Sequence, residues 1–310
     1  MKTFTVIAAA GLAAMGGCRI LETGYGNPVT DGAADAVSGT LGAARSAVTW
    51  AGNEALSFGD ALEPAHQRIF IAIGGHAASA YRNHPELPEG YKPMDAERFA
   101  LLNLDPARYS YDPASGYLED ASGQGFGARI FESENDGGEI VIAFRGSNAP
   151  GEDESWMEDW IADAHQGGGG VPEQYLRGAE TLQAARLAFP DSPITVTGHS
   201  LGGGIAAYST LMLSETGKLL CATYNAAGIS SITLMTMPKE TVDARSEESI
   251  VNIRSKGDPV SAIPGTVLVG KTFEVDNLRF ANHSIDGLLI DMKRRAEGRK
   301  AGWLRDLFDD

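Results

Sequence analysis

A chain of 310 residues with 43% hydrophobic content can bury a substantial core, and one main domain with short flanking segments is the simplest organisation. Its formal charge of −16, with no basic stripe of interleaved aromatics, argues against nucleic acid as a partner and against purely electrostatic attraction to anionic membranes. The two cysteines, Cys18 and Cys221, exclude a disulfide framework, and no HExxH, paired CxxC or EF-hand loop points to a catalytic metal.

The chain opens with MKTFTVIAAAGLAAMGGC: one positive charge at Lys2, an apolar run from Phe4 to Met15, two glycines and Cys18. This pattern predicts an export signal, and Gly17 directly before Cys18 resembles the bacterial lipoprotein cleavage box, with Met15 where that box usually has Leu. Residues 1–17 are thus expected to be a signal peptide and Cys18 the lipidated first residue of an exported, membrane-anchored lipoprotein. Ordinary cleaved secretion and a buried N-terminal helix are the alternatives. The apolar run is shorter than the ~20 residues that span a bilayer. Residues 18–60, rich in Gly, Ala, Ser and Thr, are expected to form a tether with weak helical segments, ahead of a main domain over 61–292.

Within that domain, Ile69, Phe70, Ile73 and Ala77 predict a helix over Ala65–Tyr81, interrupted by Gly74 and Gly75. Five prolines between Tyr81 and Pro113 predict an irregular connection with one short helix near Ala96–Leu102. From Phe126, the runs GFGARIFES and EIVIAFRGS flank the turn NDGG and predict a β-hairpin where the sheet begins. Glu173–Phe189 carries apolar residues at helical spacing and stops at Pro190. ITVT is a short buried strand, GHSLGGG opens a helix over Leu201–Leu213, and CATYNAA, SIVNIRS and TVLVGKTFEV read as further β segments. Cys221, opening CATYNAA, reads as a buried structural cysteine. Strands alternating with helices predict an α/β fold with a largely parallel sheet covered on both faces.

Gly198-His199-Ser200-Leu201-Gly202 fits G-x-S-x-G between a strand and a helix, and in that setting it resembles the nucleophile elbow of the α/β-hydrolase fold. A tight strand-to-helix turn needs small flanking residues and presents the serine hydroxyl above the sheet. A serine hydroxyl is a poor nucleophile until a histidine removes its proton, and the imidazolium then needs a carboxylate to orient it. The order in this fold is Ser, acid, His, and His283 is the single histidine after Ser200. His199 is expected to be structural. Asp243, Asp258 and Asp276 lie between them, and Asp258 is preferred because it follows SIVNIRS at the carboxyl end of a strand. The oxyanion of ester cleavage needs preorganised donors. These are the N–H of Leu201 and, at the end of EIVIAFRGS, the N–H and hydroxyl of Ser147, with Arg145 pairing a carboxylate to hold the loop.

The ordered motifs AFRGS (143–147), DWIAD (159–163), VTGHSLGGGIA (196–206) and GDPV (257–260), with His283 downstream, resemble the class 3 lipase family of fungal triacylglycerol lipases, feruloyl esterases and phospholipases A1. The resemblance implies Ser200, His283 and Asp258 as a catalytic triad and Ser147 and Leu201 as oxyanion-hole donors. It also implies a lid over Asn148 to about Trp160, where Trp156, Met157 and Trp160 offer an apolar face to lipid. Acyl transfer through an acyl-enzyme on a lipid ester needs no cofactor. A feruloyl or short-chain esterase and a tethered binding protein without turnover are the competing readings. The tail KRRAEGRKAGWLRDLFDD (293–310) is expected to be a terminal helix packed on the domain.

Overall fold

The computed structural model describes residues 55–81, 86–121, 125–135, 138–147, 171–214, 217–276 and 283–297. Cys18, the segment carrying Trp156, Met157 and Trp160, and residues 298–310 lie outside the described residues.

The core element is a sheet whose parallel part runs β1 (Leu56–Ser57), β12 (Lys271–Val275), β10 (Ile250–Ser255), β8 (Leu219–Tyr224), β7 (Ile194–His199) and β6 (Ile140–Phe144). Beyond β6 it turns antiparallel through β5 (Gly127–Ser133), β4 (Tyr117–Asp120) and β3 (Tyr109–Asp112), while β2 (Tyr91–Pro93) pairs with the far half of β5. Both faces of the central strands are covered, so every residue of β6, β7 and β8 is buried, the interleaved threonines of β7 included.

Alternation along β8 shows how the layers form. Leu219 and Cys221 point into one apolar cluster, with Val196, Ile205 and Leu182. Leu220, Ala222 and Tyr224 point into the other, with Phe70, Phe273 and Leu288. The first face is covered by α4 (Glu173–Ala188) and α5 (Leu201–Met212), the second by α2 (Pro64–Ser79) and α8 (Ile285–Ala296), with α1 (Phe58–Ala61) beside α8. Burial pushes the Cys221 thiol up to about 12, consistent with an inert packing residue. This is the α/β architecture with a mostly parallel sheet that the alternating pattern predicts.

Several expectations change. Leu56–Asp60, which composition assigns to the tether, enter the fold: Leu56 registers with Phe273, and Phe58 is fully buried. The sheet thus begins upstream of residue 61 and well upstream of Phe126. The Pro-rich connection holds α3 (Ala96–Ala100), N-capped by Asp95, and also strands β2 and β3. Their prolines sit where no ladder donor is needed: Pro93 ends an edge strand, and Pro113 lies in the β3–β4 turn, where the Asp112 carboxylate accepts from the Ala114 N–H at 3.0 Å and the Ser115 hydroxyl at 2.5 Å. TVLVGKTFEV divides in two. β11 (Thr266–Val267) pairs antiparallel with β9 (Ile229–Ser230) off the main sheet, and Gly270, at φ 92°, turns the chain into β12. The connection before β10 carries α6 (Ser231–Met235) and α7 (Lys239–Ser249). The last helix starts at Ile285, N-capped by Ser284, so Lys293–Arg295 form its final turn, where their charges complement the helix dipole.

The two glycines that break the periodicity do not break α2. A Cβ on Gly74 would lie 2.5 Å from Leu289 Cδ2 and 3.0 Å from Tyr224 Cε1, so the glycine lets the helix approach the sheet and α8; a Cβ on Gly75 would meet nothing within 4 Å. Gly74→Ala is expected to lose about 1–3 kcal/mol through overpacking. Gly75→Ala should gain up to about 1 kcal/mol from helix propensity. Urea denaturation checks this, since the two midpoints must move in opposite directions.

Candidate active site

Ser200 sits between the end of β7 and the start of α5 at φ 59°, ψ −129°. That conformation is costly for an L-residue and persists only where the surroundings overdetermine it. The Ser200 N–H donates to the Tyr224 carbonyl at 3.1 Å, and its carbonyl accepts from Gly203 at 3.0 Å, Gly204 at 3.3 Å and Ala227 at 3.0 Å. A Cβ on Gly202 would collide with the Phe144 carbonyl oxygen and lie 2.9 Å from the Arg145 carbonyl carbon. The glycine therefore lets α5 begin directly against the end of β6, which brings the Arg145-Gly146-Ser147 segment beside Leu201.

Leu201 is the first residue of α5, so its N–H is one of the amides that a helix leaves unpaired at its positive end. Ser147, half-buried, leaves the sheet three residues after Phe144. Arg145 beneath it donates to Glu119 at 3.2 Å and to the Gly125 carbonyl at 3.3 Å, the carboxylate pairing expected of it. These are the two strand-end segments from which a developing oxyanion can be met by N–H donors.

Asp258 follows β10 as expected and is buried. One carboxylate oxygen accepts from His283 Nδ1 at 2.7 Å, and the other accepts from the Ser261 N–H at 2.7 Å. With Nδ1 donating to the carboxylate, the lone pair of a neutral His283 is on Nε2, which is buried and has no hydrogen-bond partner among the described residues. The other aspartates are elsewhere. Asp276 is exposed and pairs with Arg295, and Asp243 is exposed and pairs with Lys239.

His199 links Ser200, its neighbour in the chain, to His283. Its ring packs on the His283 ring with centroids 4.6 Å apart, and its Nε2 lies 2.6 Å from the His283 carbonyl oxygen. Its Nδ1 lies 2.8 Å from the Tyr81 hydroxyl. Burial first, and then the neighbouring His283, hold the His199 imidazole well below the ordinary histidine range, so it stays neutral. Ser200, Asp258 and His283, far apart in sequence, thus share one neighbourhood at the carboxyl ends of β7, β10 and β12, where an α/β sheet places functional groups.

Sequence reasoning did not single out Tyr81 or Asn225. Asn225 has φ 42°, accepts from the Ser255 N–H at 2.7 Å and donates to the His283 carbonyl at 3.4 Å. Its trace in the sequence is a polar residue inside the apolar run CATYNAA. Tyr81 carries no such trace. Among the described residues no group of three or more His, Cys, Asp or Glu is placed to hold a metal ion, and no helix is long and apolar enough to cross a membrane.

The chain is 33% identical over 158 residues to an extracellular phospholipase A1 of Serratia liquefaciens, a match covering 51% of this chain and 44% of that protein, so it spans under half of that relative's length. Solved structures similar to it include the Lip2 lipase of Yarrowia lipolytica, at 15% identity and TM-score 0.44 over 70% of this chain and 80% of the other. Another is the MDLA protein of Penicillium cyclopium, at 17% identity and TM-score 0.45 over 73% and 86%. Residues 73–299, well over half of the chain, match the phospholipase-like family defined by the Tle-like phospholipase domain, and the chain belongs to that family.

Proposed function

We propose that this chain is a serine hydrolase of lipid carboxylic esters, with phospholipid cleaved at an acyl ester as its activity and acylglycerol as the second substrate class. The observation that carries the reading is the 2.7 Å Asp258–His283 hydrogen bond set beside a strained strand-to-helix elbow at Ser200. In this mechanism His283 Nε2 takes the Ser200 hydroxyl proton as Oγ attacks the ester carbonyl. The tetrahedral oxyanion is met by the N–H groups of Leu201 and Ser147. The protonated His283, oriented by Asp258, gives its proton to the leaving alcohol. Water deprotonated by the same nitrogen then releases the fatty acid and restores Ser200. Phospholipid is placed first because the family is phospholipase-like and a relative is named a phospholipase A1.

Export belongs to the same proposal. Its supports are the MKTF…GGC opening and the word extracellular in that relative's name, and a lipidated Cys18 would hold the enzyme at a membrane surface.

Two measurements test the assignment. A fluorophosphonate should label the wild type at Ser200, fail to label Ser200→Ala, and label Asp258→Asn about 10³- to 10⁴-fold more slowly, the loss expected when a histidine base loses its orienting carboxylate. Asp276→Asn, on the surface, should label at the wild-type rate; equal rates for both aspartate variants would reject Asp258. Mass-spectrometric digestion of mixed phospholipid, acylglycerol and soluble aryl ester should show fatty acid and lysophospholipid appearing with wild type but not with Ser200→Ala. Turnover confined to the aryl ester would favour the soluble esterase instead.

A further inference from the structure

The residue before the nucleophile carries a hydrogen-bonded connection that the Ser-His-Asp chemistry does not use. A carbonyl oxygen only accepts, so the 2.6 Å contact between His199 Nε2 and the His283 carbonyl requires the proton on Nε2. In the neutral ring Nδ1 is then an acceptor, and the Tyr81 hydroxyl at 2.8 Å must donate to it. The Tyr81 oxygen in turn accepts the Gly146 N–H, an interaction that favours the phenolate and partly offsets the upward push of burial on that hydroxyl. Space is committed to this contact: a Cβ on Gly146 would collide with the Tyr81 hydroxyl and lie 2.7 Å from the His199 carbonyl oxygen. The proton order is therefore fixed along the whole chain, from Gly146 N–H to Tyr81, from Tyr81 O–H to His199, and from His199 Nε2–H to the backbone of His283.

The two ends of this chain matter. Gly146 immediately precedes Ser147, and His283 is the base. His199 itself is covalently joined to Ser200. One set of three hydrogen bonds thus ties the oxyanion segment, the nucleophile and the base to each other.

We propose that Tyr81 and His199 are positioning residues for the hydrolase reaction, forming a brace that fixes His283 through its backbone carbonyl and the Ser147 segment through Gly146. The inference rests on the serine hydrolase reading and extends it to two residues that touch neither substrate nor the reacting atoms. Asn225 shares the His283 carbonyl at 3.4 Å, so the brace has a second, weaker donor at that end.

Misplacing a reacting group by about 1 Å lowers turnover by about 100-fold, and this sets the scale of the test. Tyr81→Phe should lower kcat by about tenfold to 100-fold with KM within about twofold, because it removes the hydroxyl while leaving the ring. His199→Leu should lower kcat by about 100-fold. His199→Gln, whose side-chain N–H reaches the same carbonyl, should recover most of that loss; a role in packing alone would not discriminate Gln from Leu in this direction. Wild-type kcat in both Tyr81→Phe and His199→Leu, or His199→Gln no better than His199→Leu, would overturn the brace.

A readout independent of turnover accompanies these. Nitrogen-15 NMR of the wild type should show His199 as the neutral Nε2–H tautomer, and Tyr81→Phe should shift both the His199 nitrogens and the His283 Nδ1–H proton. An Nδ1–H or doubly protonated His199 at neutral pH would also overturn it. Failure of the hydrolase reading is distinguishable, since it would appear as Ser200→Ala retaining wild-type activity while these NMR signatures remain.

Discussion

Ser200 turns the chain from β7 into α5 in a backbone conformation that costs of order 1–3 kcal/mol, and four backbone hydrogen bonds hold that turn. Its N–H is bound by the end of β8, and its carbonyl by the first turn of α5 and by Ala227 after β8. Each such bond contributes about 0.5–1.5 kcal/mol net, so four of them offset the strain with a margin. The elbow is therefore a property of two neighbouring strands and a helix together. The close approach that Gly202 permits also puts the end of β6 against the start of α5, which is why one constraint places both Ser200 and the Arg145–Ser147 segment.

The sheet supplies the rigidity this requires. β6, β7, β8 and β10 are almost wholly buried, and the apolar clusters on either side are continuous with helices that adjoin Ser200 or His283: α5 on one face, α8 on the other. Gly74 matters for the second face, because the helix bearing it must come close enough for Tyr224 and Leu289 to pack over it. Tyr224 then does two things at once, filling the core under α2 with its ring and accepting the Ser200 N–H with its carbonyl. Core packing and site geometry are coupled through that residue.

What was legible in the sequence follows the physics of each signal. Buried parallel strands leave apolar runs, and the elbow leaves a local motif of small residues, so β5 to β8, β10, α4, α5 and the position of Ser200 could all be read. Chain order singles out His283, and the strand end after SIVNIRS favours Asp258 over Asp276; these are the two side chains that hydrogen-bond each other. Short edge strands are hidden because proline reads as a breaker, whereas Pro93 stands at an edge and Pro113 in a turn. β1 was lost because two residues carry no periodicity, and only pairing with β12 makes Leu56–Ser57 a strand. Tyr81 was invisible because its role depends on a contact across 118 residues, which no local pattern encodes.

Four of the five groups in the proposed machinery sit where regular structure ends. Ser200 and Leu201 lie at a strand–helix junction, Ser147 just past β6, and Asp258 just past β10. His283 differs: it precedes the N-cap of α8 on the connection from β12, and nothing in the sheet ladder fixes it. Ordering the backbone of one such residue costs about 1–2 kcal/mol, and one hydrogen bond to the Asp258 carboxylate contributes about 1.5–3 kcal/mol, a small surplus. Yet the side-chain bond fixes only the ring, leaving the backbone free to carry it toward or away from Ser200. Contacts at the carbonyl are needed to remove that freedom, and His199 and Asn225 supply them from the two strands adjacent to the elbow. Because His199 is bonded covalently to Ser200, the span from Ser200 to the His283 backbone is bridged by one side chain and one hydrogen bond.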